Sequence, residues 1–303
     1  MATIYLSPTG DDTTGDGTSG TPYKTLFKCI SVASNGDTIY HKAGTYTNLG
    51  TKTTITKSLT ITGASGVVID VSAYPANYNG ATFVHSVDVT WSGLTIDKYT
   101  YGYDTTDATY ALFERSVDDV NLTLNNMIIS NSKHKARAGY DRGGLISTAF
   151  GASPKYGGSI TLNRCLFYNI EQYGVANPTA SGYMITSVGS AAKPITFNVI
   201  NCTFHFRAPT TGNSASNGIW HYCVYNTVNW KNNIIYNETG GTFNWANYVS
   251  STTTNYNYND SYLLTGTPSG TGNITSDPLF IDLTNRNFHL RPSSPCVGTG
   301  QVI

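Results

Sequence analysis

Residues 160–169 read ITLNRCLFYN, with apolar Ile160 and Leu162 separated by a polar residue. That is the period of two of a β-strand with one buried face. The inward places then fall on Cys165 and Phe167, one residue out of step. Four more windows share the pattern at spacings of about 31–38 residues: VTWSGLTIDK from Val89, LTLNNMIISN from Leu122, FNVINCTFHF from Phe197 and VNWKNNIIYN from Val228. Column one is Val89, Leu122, Ile160, Phe197 and Val228, and column three is Trp91, Leu124, Leu162, Val199 and Trp230. Column six holds Leu94, Met127, Cys165, Cys202 and a polar Asn233; column eight holds Ile96, Ile129, Phe167, Phe204 and Ile235. At the slip, column five, stand Gly93, Asn126, Arg164, Asn201 and Asn232. Gly and Asn tolerate a left-handed backbone, so a bend there re-aims the second strand inward. Strand, bend and strand, repeated by stacking, make the coil of a solenoid.

Helical repeats share periods of this length, but the windows are rich in Val, Ile, Thr, Phe, Trp and Asn, which are strand and turn residues. A third strand per coil is read in ATFVHS from Ala81, YALFERS from Tyr110, GLIST from Gly144, YMITS from Tyr183 and IWHYCV from Ile219. Connections of uneven length project outward and leave the stack intact. The expected fold is all-β, a single-stranded parallel β-helix forming one domain over residues 1–303. Residues 1–36 supply an N-terminal strand and capping helix, 37–276 the coils, and 277–303 a closing segment.

With these windows the chain resembles the right-handed parallel β-helix, pectate-lyase-like superfamily, of the kind found in bacterial surface and phage virion proteins. The opening IYLSPTGDD with GTPYKTLFKCISVASNGDTIYHKAGTYT, and the closing DPLFIDLTNRNFHLRPSSPCVG, are similar to segments that begin and end such helices. The resemblance implies the fold but not one activity, because that superfamily hosts lyases, hydrolases, epimerases, adhesins and virion proteins.

Composition narrows the partners. Eighteen basic and eighteen acidic residues cancel and only 12% of residues are charged, which argues against nucleic acid, whose phosphates need a basic face. No apolar run reaches 18 residues, so no membrane span is expected. MATIYLSPTG lacks the basic and apolar stretches of a secretory signal; an outside location then needs a removed signal or another route, such as cell lysis. Thr, Asn, Gly, Ser and 22 Tyr against 3 Met give the look of a hydrogen-bonding, weakly charged extracellular or virion surface. Five cysteines cannot all pair within one chain. Cys165 and Cys202 fall in successive coils as small hydrophobes, within reach of a disulfide because parallel strands lie about 4.8 Å apart. Cys29, Cys223 and Cys296 show no metal-ligand spacing.

The ends need capping. The stretch Pro22 to Ser34 reads as a helix with Thr21 as N-cap, Leu26, Ile30 and Ala33 on one face, and Asn35-Gly36 as its stop. Before it, Asp11, Asp12 and Asp16 offer oxygen ligands for Ca²⁺ or belong to an Asp/Gly turn; no other cofactor is indicated. Column ten, with Asn131, Asn169 and Asn237, reads as an amide ladder at a turn.

The resemblance implies patterns that can be sought. A polygalacturonase-type hydrolase needs several Asp, a Gly-His-Gly and an Arg-Ile-Lys, and the chain lacks these motifs. A calcium-dependent lyase needs acidic residues on its strands, and Asp97 is the only one in the windows. The densest ionisable stretch, SKHKARAGYDRGG, carries Lys133, His134, Arg137 and Tyr140. A Lys or Arg base with a Tyr or His acid suits a polysaccharide lyase; a solvated basic loop is the alternative. Glu171, Arg207 and Glu238 share an edge with Lys133 and alternate in sign, as an ion-pair ladder worth little or as the floor of a groove. Column nine holds Tyr168, His205 and Tyr236 in successive coils, after Asp97 and Ser130. Outward rings in a row make a platform for sugar rings, or stack to stabilise the sheet. His85 and His221 read as structural histidines.

The expected function is therefore a virion-surface or extracellular β-helix that binds a polysaccharide or cell-surface glycan through Tyr168, His205, Tyr236, Glu171 and Arg207. Virion or self-assembly partners are expected as well. The alternatives are a depolymerase of an acidic glycan and a purely structural spacer.

Overall fold

The computed structural model describes residues 1–47, 52–73, 81–101, 111–136, 144–148, 155–174, 182–207, 217–238 and 243–301. Among them the chain winds through three parallel sheets of nine, ten and seven strands, with one antiparallel pair near the C-terminus. The first sheet runs from Thr3–Leu6 to Thr253–Asn257, the second from Gly44–Tyr46 to Asp260–Tyr262, and the third from Thr53–Ile55 to Phe243–Ser250. Each coil donates one strand to each sheet, so the fold is a parallel β-helix.

The five windows stack in register, from Val89 opposite Leu122 to Phe197 opposite Val228. All residues of columns one, three, six and eight are at most 2% exposed. Full burial of one such Val, Leu, Ile or Phe contributes about 1.5–3 kcal/mol. Rings continue the stack: Phe167 lies 4.7 Å from Phe204 at 9°, and Phe204 lies 5.1 Å from Trp230.

The slip at column five is a left-handed residue in every window, with φ of 71° at Gly93, 51° at Asn126, 54° at Arg164, 56° at Asn201 and 56° at Asn232. Arg164 is exposed there, so nothing in the core requires its side chain. Arg164→Asn is expected to raise stability by about 0.5–1 kcal/mol by easing the left-handed backbone, read as a higher melting temperature. An unchanged or lower value would contradict this.

Further coils lie beyond the windows. Leu59 and Ile61 register with Val89 and Trp91, and Ile69 with Ile96. A longer turn at residues 64–66 hides that coil from a ten-residue frame. After the fifth window, Thr254, Tyr256, Asn259 and Ser261 occupy the same four columns. Their polar members hide that coil too.

Column six forms a buried ladder. Asn233 donates to the Val199 carbonyl at 2.9 Å and accepts from the Cys202 amide at 2.8 Å. Asn259 repeats this, donating to the Trp230 carbonyl at 2.9 Å and accepting from the Asn233 amide at 3.0 Å. Asn273 follows, with the Tyr256 carbonyl at 2.7 Å and the Asn259 amide at 3.0 Å. Cys202 plays the acceptor part for the Cys165 amide at 3.4 Å, and Cys165 donates to the Leu124 carbonyl at 3.2 Å. Both thiols are free, so the disulfide within reach is not formed. These cysteines serve as polar ladder members as well as small hydrophobes.

The capping helix is Leu26–Val32 with Thr25, not Thr21, as N-cap. Thr25 accepts from the Lys28 amide at 3.1 Å, while Asp12 holds the Thr25 hydroxyl at 2.6 Å and the Lys24 and Thr25 amides. This network moves the start inward. Leu26, Ile30 and Ala33 are buried as expected, together with Cys29. No helix of the described residues is long and apolar enough to cross a membrane.

Candidate functional site

Parallel pairing brings the columns of the second sheet together on its outer side. Asp70, Asp97, Ser130 and Tyr168 follow one another in register, as do His205, Tyr236 and Tyr262. Asp97 accepts from the Ser130 hydroxyl and the Asn131 amide, each at 2.6 Å, and Asn169 donates to Asn131 at 2.9 Å. The amide ladder is thus real at Asn131 and Asn169. Asn237 stands one column away, opposite Phe206, because the register shifts between Phe167 and Ile170.

The aromatic row is not an open platform. The hairpin Phe280–Asp282 with Asn287–Leu290 folds back over it. Phe288 lies 5.5 Å from Tyr168 and 5.4 Å from His205, Phe280 lies 5.7 Å from Tyr236, and Arg286 sits 5.4 Å over the Tyr168 ring. His205, expected to point into solvent, is 3% exposed. The rings attracted a partner from the same chain, since apolar faces in a row are most stable when covered. His205 accepts from the Asn169 amide through Nδ1 at 3.2 Å, which leaves the proton on Nε2. Nε2 stands 3.2 Å from Glu238 Oε2 without the alignment of a hydrogen bond. Burial holds this imidazole below the ordinary histidine value, against the pull of Glu238.

What stays accessible is a groove of about 470 Å³ at the hairpin's flank. Tyr236 forms one wall, and Asp277, Asp282, Phe280 and Arg291 form others. The edge row exists beside the aromatics: Lys133 registers with Glu171, and Glu171 with Arg207. Lys133 Nζ approaches Glu171 Oε2 to 3.4 Å, so the amine is engaged in an ion pair within this row. Arg207 and Glu238 are exposed. The backbone of His134 pairs with Tyr101 and Gln172, but its side chain, Arg137, Tyr140 and the side chain of His221 lie outside the described residues.

Asp11, Asp12 and Asp16 do not converge on a common point. Asp11 accepts from the Thr13 and Thr14 amides, Asp12 accepts from the Lys24 and Thr25 amides and the Thr25 hydroxyl, and Asp16 accepts from Thr18 and Thr21. The three carboxylates shape the loop. No group of three His, Cys, Asp or Glu side chains suited to a metal is found among the described residues.

Glu114 is a residue that the repeat pattern does not reveal. Phe113 packs on Phe83 and Trp91 inside the core, so alternation turns Glu114 to the outer face of the third sheet. It registers with Val84 and Ser147, and Ser147 with Thr186. Val84 belongs to a small apolar cluster with Ala81 and Ala111. Glu114 is 8% exposed, and burial pushes its carboxyl up to about 7, against Lys52 and Lys155. Its neighbour Arg115 is committed elsewhere, donating to the carbonyls of Val120, Gly157 and Lys155. A buried acid between apolar columns is the signal a sequence reader could have used. His85, fully buried, accepts from Trp91 Nε1 at 3.1 Å and pairs with the Glu114 carbonyl, the structural role expected of it.

Because the folded carboxyl titrates above the unfolded one, the folded chain binds more protons between the ordinary glutamate range and about pH 7. Stability from this group is present at low pH and lost as pH rises through that window. His41 and His85, both pushed down to about 4 by burial, act oppositely below the ordinary histidine range. Glu114→Gln is expected to flatten the fall in stability between pH 5 and 8 in denaturant unfolding. A slope equal to that of the parent chain would refute the assignment.

No family model and no curated protein matches the chain. Among solved structures it is similar to a rhamnogalacturonan lyase, at 15% identity over 97% of this chain and 96% of that one, with a TM-score of 0.44. It is also similar to XylC in complex with xylose, at 13% identity over 89% and 67%, TM-score 0.43. A lacto-N-biosidase from Eubacterium ramulus aligns at 10% identity over 91% and 67%, TM-score 0.39.

Proposed function

We propose that this chain is a glycan-binding parallel β-helix acting outside a cell, on a bacterial surface or a phage virion, and that it holds a polysaccharide in the groove at Tyr236. The groove itself carries the reading: an aromatic wall with a cation and two carboxylates placed around it. Sugar rings lie on aromatic faces, while a few polar groups fix their hydroxyls and orientation. Arg291 suits an acidic sugar, since a guanidinium takes carboxylate oxygens in pairs. Exposed Arg207 extends the polar surface along the stack, whereas Glu171, 6% exposed and paired with Lys133, supports it from within. Tyr168 and His205 support the groove from beneath the hairpin.

Tyr236→Ala with Arg291→Ala is expected to weaken binding on a glycan array at least about tenfold, equivalent to about 1.4 kcal/mol. Tyr236 also packs on Tyr262 and Phe280, so binding is read well below the melting temperature. Retained binding in this double variant, with loss in Lys133→Ala, would move the site to the edge row.

One observation favours a second reading, a depolymerase of an acidic glycan. Glu114 titrates near neutrality on a separate face, as a group that gives and takes a proton must. Incubation with acidic polysaccharides, followed by assays for new reducing ends and unsaturated uronates, tests it. Product that forms equally with Glu114→Gln would remove Glu114 from that role.

A further inference from the structure

A second cavity, of about 230 Å³, lies between the last coils and the C-terminal tail. At about 30 Å³ per water it has room for several waters, the scale of one sugar ring and not of a chain. Its walls include Asn201, Asn232, Tyr258, Asp260, Cys296 and Thr299. The tail is strapped over it by two bonds: Asn232 donates to the Gln301 carbonyl at 2.7 Å and accepts from the Gln301 amide at 2.9 Å. The Tyr258 ring rests where Gly272 has no side chain; a Cβ there would come within 2.5 Å of the ring.

Asp260 makes the cavity more than a packing gap. The residue is 3% exposed, Oδ2 accepts from the Cys296 thiol at 3.0 Å, and Oδ1 is buried without a hydrogen bond of full geometry, the Ser261 and Ser276 amides influencing the carboxylate from nearby. A buried carboxylate oxygen lacking an aligned donor costs about 1–3 kcal/mol or more. A ligand that brings hydroxyl donors would recover that cost. Among the described residues no Lys, Arg or His lines the cavity, so an anionic sugar would meet the Asp260 carboxylate uncompensated. Ile234, Ile274 and Leu290 add apolar surface beside the Tyr258 ring, matching a pyranose with one face of C–H groups and an edge of hydroxyls.

We infer that this cavity is a subsite for a single neutral sugar residue, with Asp260 accepting its hydroxyls and Tyr258 supporting its ring. The inference rests on the glycan-binding reading for its class of ligand, and uses none of the residues of the Tyr236 groove. Cys296 reports on occupancy, because its thiol stands in the wall and is half-buried. Burial and the Asp260 carboxylate push that thiol up to about 12, so its alkylation is slow enough to time.

The probes are the methyl glycosides of glucose, galactose and mannose, with glucuronate and ethylamine as contrasts. Alkylation of Cys296 is followed by mass spectrometry. At least one neutral glycoside is expected to slow it several-fold, and neither contrast should. Asp260→Asn is expected to weaken that protection about tenfold, as loss of a charge-assisted acceptor implies. Thr299→Trp, at an exposed rim position, should abolish protection while leaving the core untouched. Absence of protection by every neutral glycoside, protection by the amine or uronate instead, or protection that survives Thr299→Trp would overturn the inference. Polysaccharide binding that needs Tyr236 and Arg291 but tolerates both cavity variants also overturns it and leaves the groove standing; the reverse pattern overturns the groove.

Discussion

Asn233→Leu is expected to lower stability by about 2–6 kcal/mol, the cost of two buried groups left unmatched, although leucine has nearly the same volume and the neighbouring column is apolar. The amide is 1% exposed and completes two buried backbone groups, the Cys202 amide at 2.8 Å and the Val199 carbonyl at 2.9 Å. Each group left unmatched costs about 1–3 kcal/mol, and leucine offers neither donor nor acceptor. Asn233 also donates to Asn259 at 3.0 Å, so the double variant with Asn259→Leu should lose less than the two single losses added. Denaturant midpoints with unchanged slopes measure this. A loss below about 1 kcal/mol would mean that the ladder is a consequence of stacking and not a support of it.

The second large effect is expected at Phe288. Phe288→Ala removes the ring that meets Tyr168, His205 and Phe280 at 5.3–5.5 Å. Truncating a large, half-buried aromatic with three ring neighbours should cost about 2–3 kcal/mol. The variant also has a signature that general destabilisation does not produce. Burial now holds His205 below the ordinary histidine value, so opening the hairpin should move its titration upward in NMR. In the parent chain the depressed imidazole contributes stability above the unfolded histidine pKa, and that stability is lost as pH falls through the folded value. Phe288→Ala should therefore blunt the acid sensitivity due to His205. An unmoved His205 titration would show that Phe288 is not what buries it.

The repeat was legible because a solenoid coil is a local object. Its inward columns alternate within one strand, and a left-handed residue must stand at the bend, so Val89 to Ile235 disclose both in single windows. Even Arg164, the least apt residue for that bend, adopts the left-handed conformation with φ of 54°, because stacked neighbours fix it. Asn233 was legible as an exception to its column, and the exception marks the ladder. The two coils beside the windows escaped because one has a longer turn and the other has polar Asn259 and Ser261 inside.

The site was less legible, for a different physical reason. The period of two puts Tyr168, His205 and Tyr236 on the outer side of the second sheet, but alternation says only which side of a sheet a residue takes. It cannot say what else in the chain will cover that side. Phe280 and Phe288 come from a segment distant in sequence, and their docking turned His205 from an outward ring into a buried one. The same docking formed the groove at Tyr236, and the tail that follows the hairpin closed the cavity over Asp260. Glu114 likewise became an acid titrating near 7 only through the coils stacked beside it. The sequence by itself determined the coil, its inward columns and its bends, since those depend on neighbours a few residues apart. Which outward residues remain open, and which carboxyls lose their water, was decided by the tertiary structure, because burial depends on segments that meet only after the chain has wound.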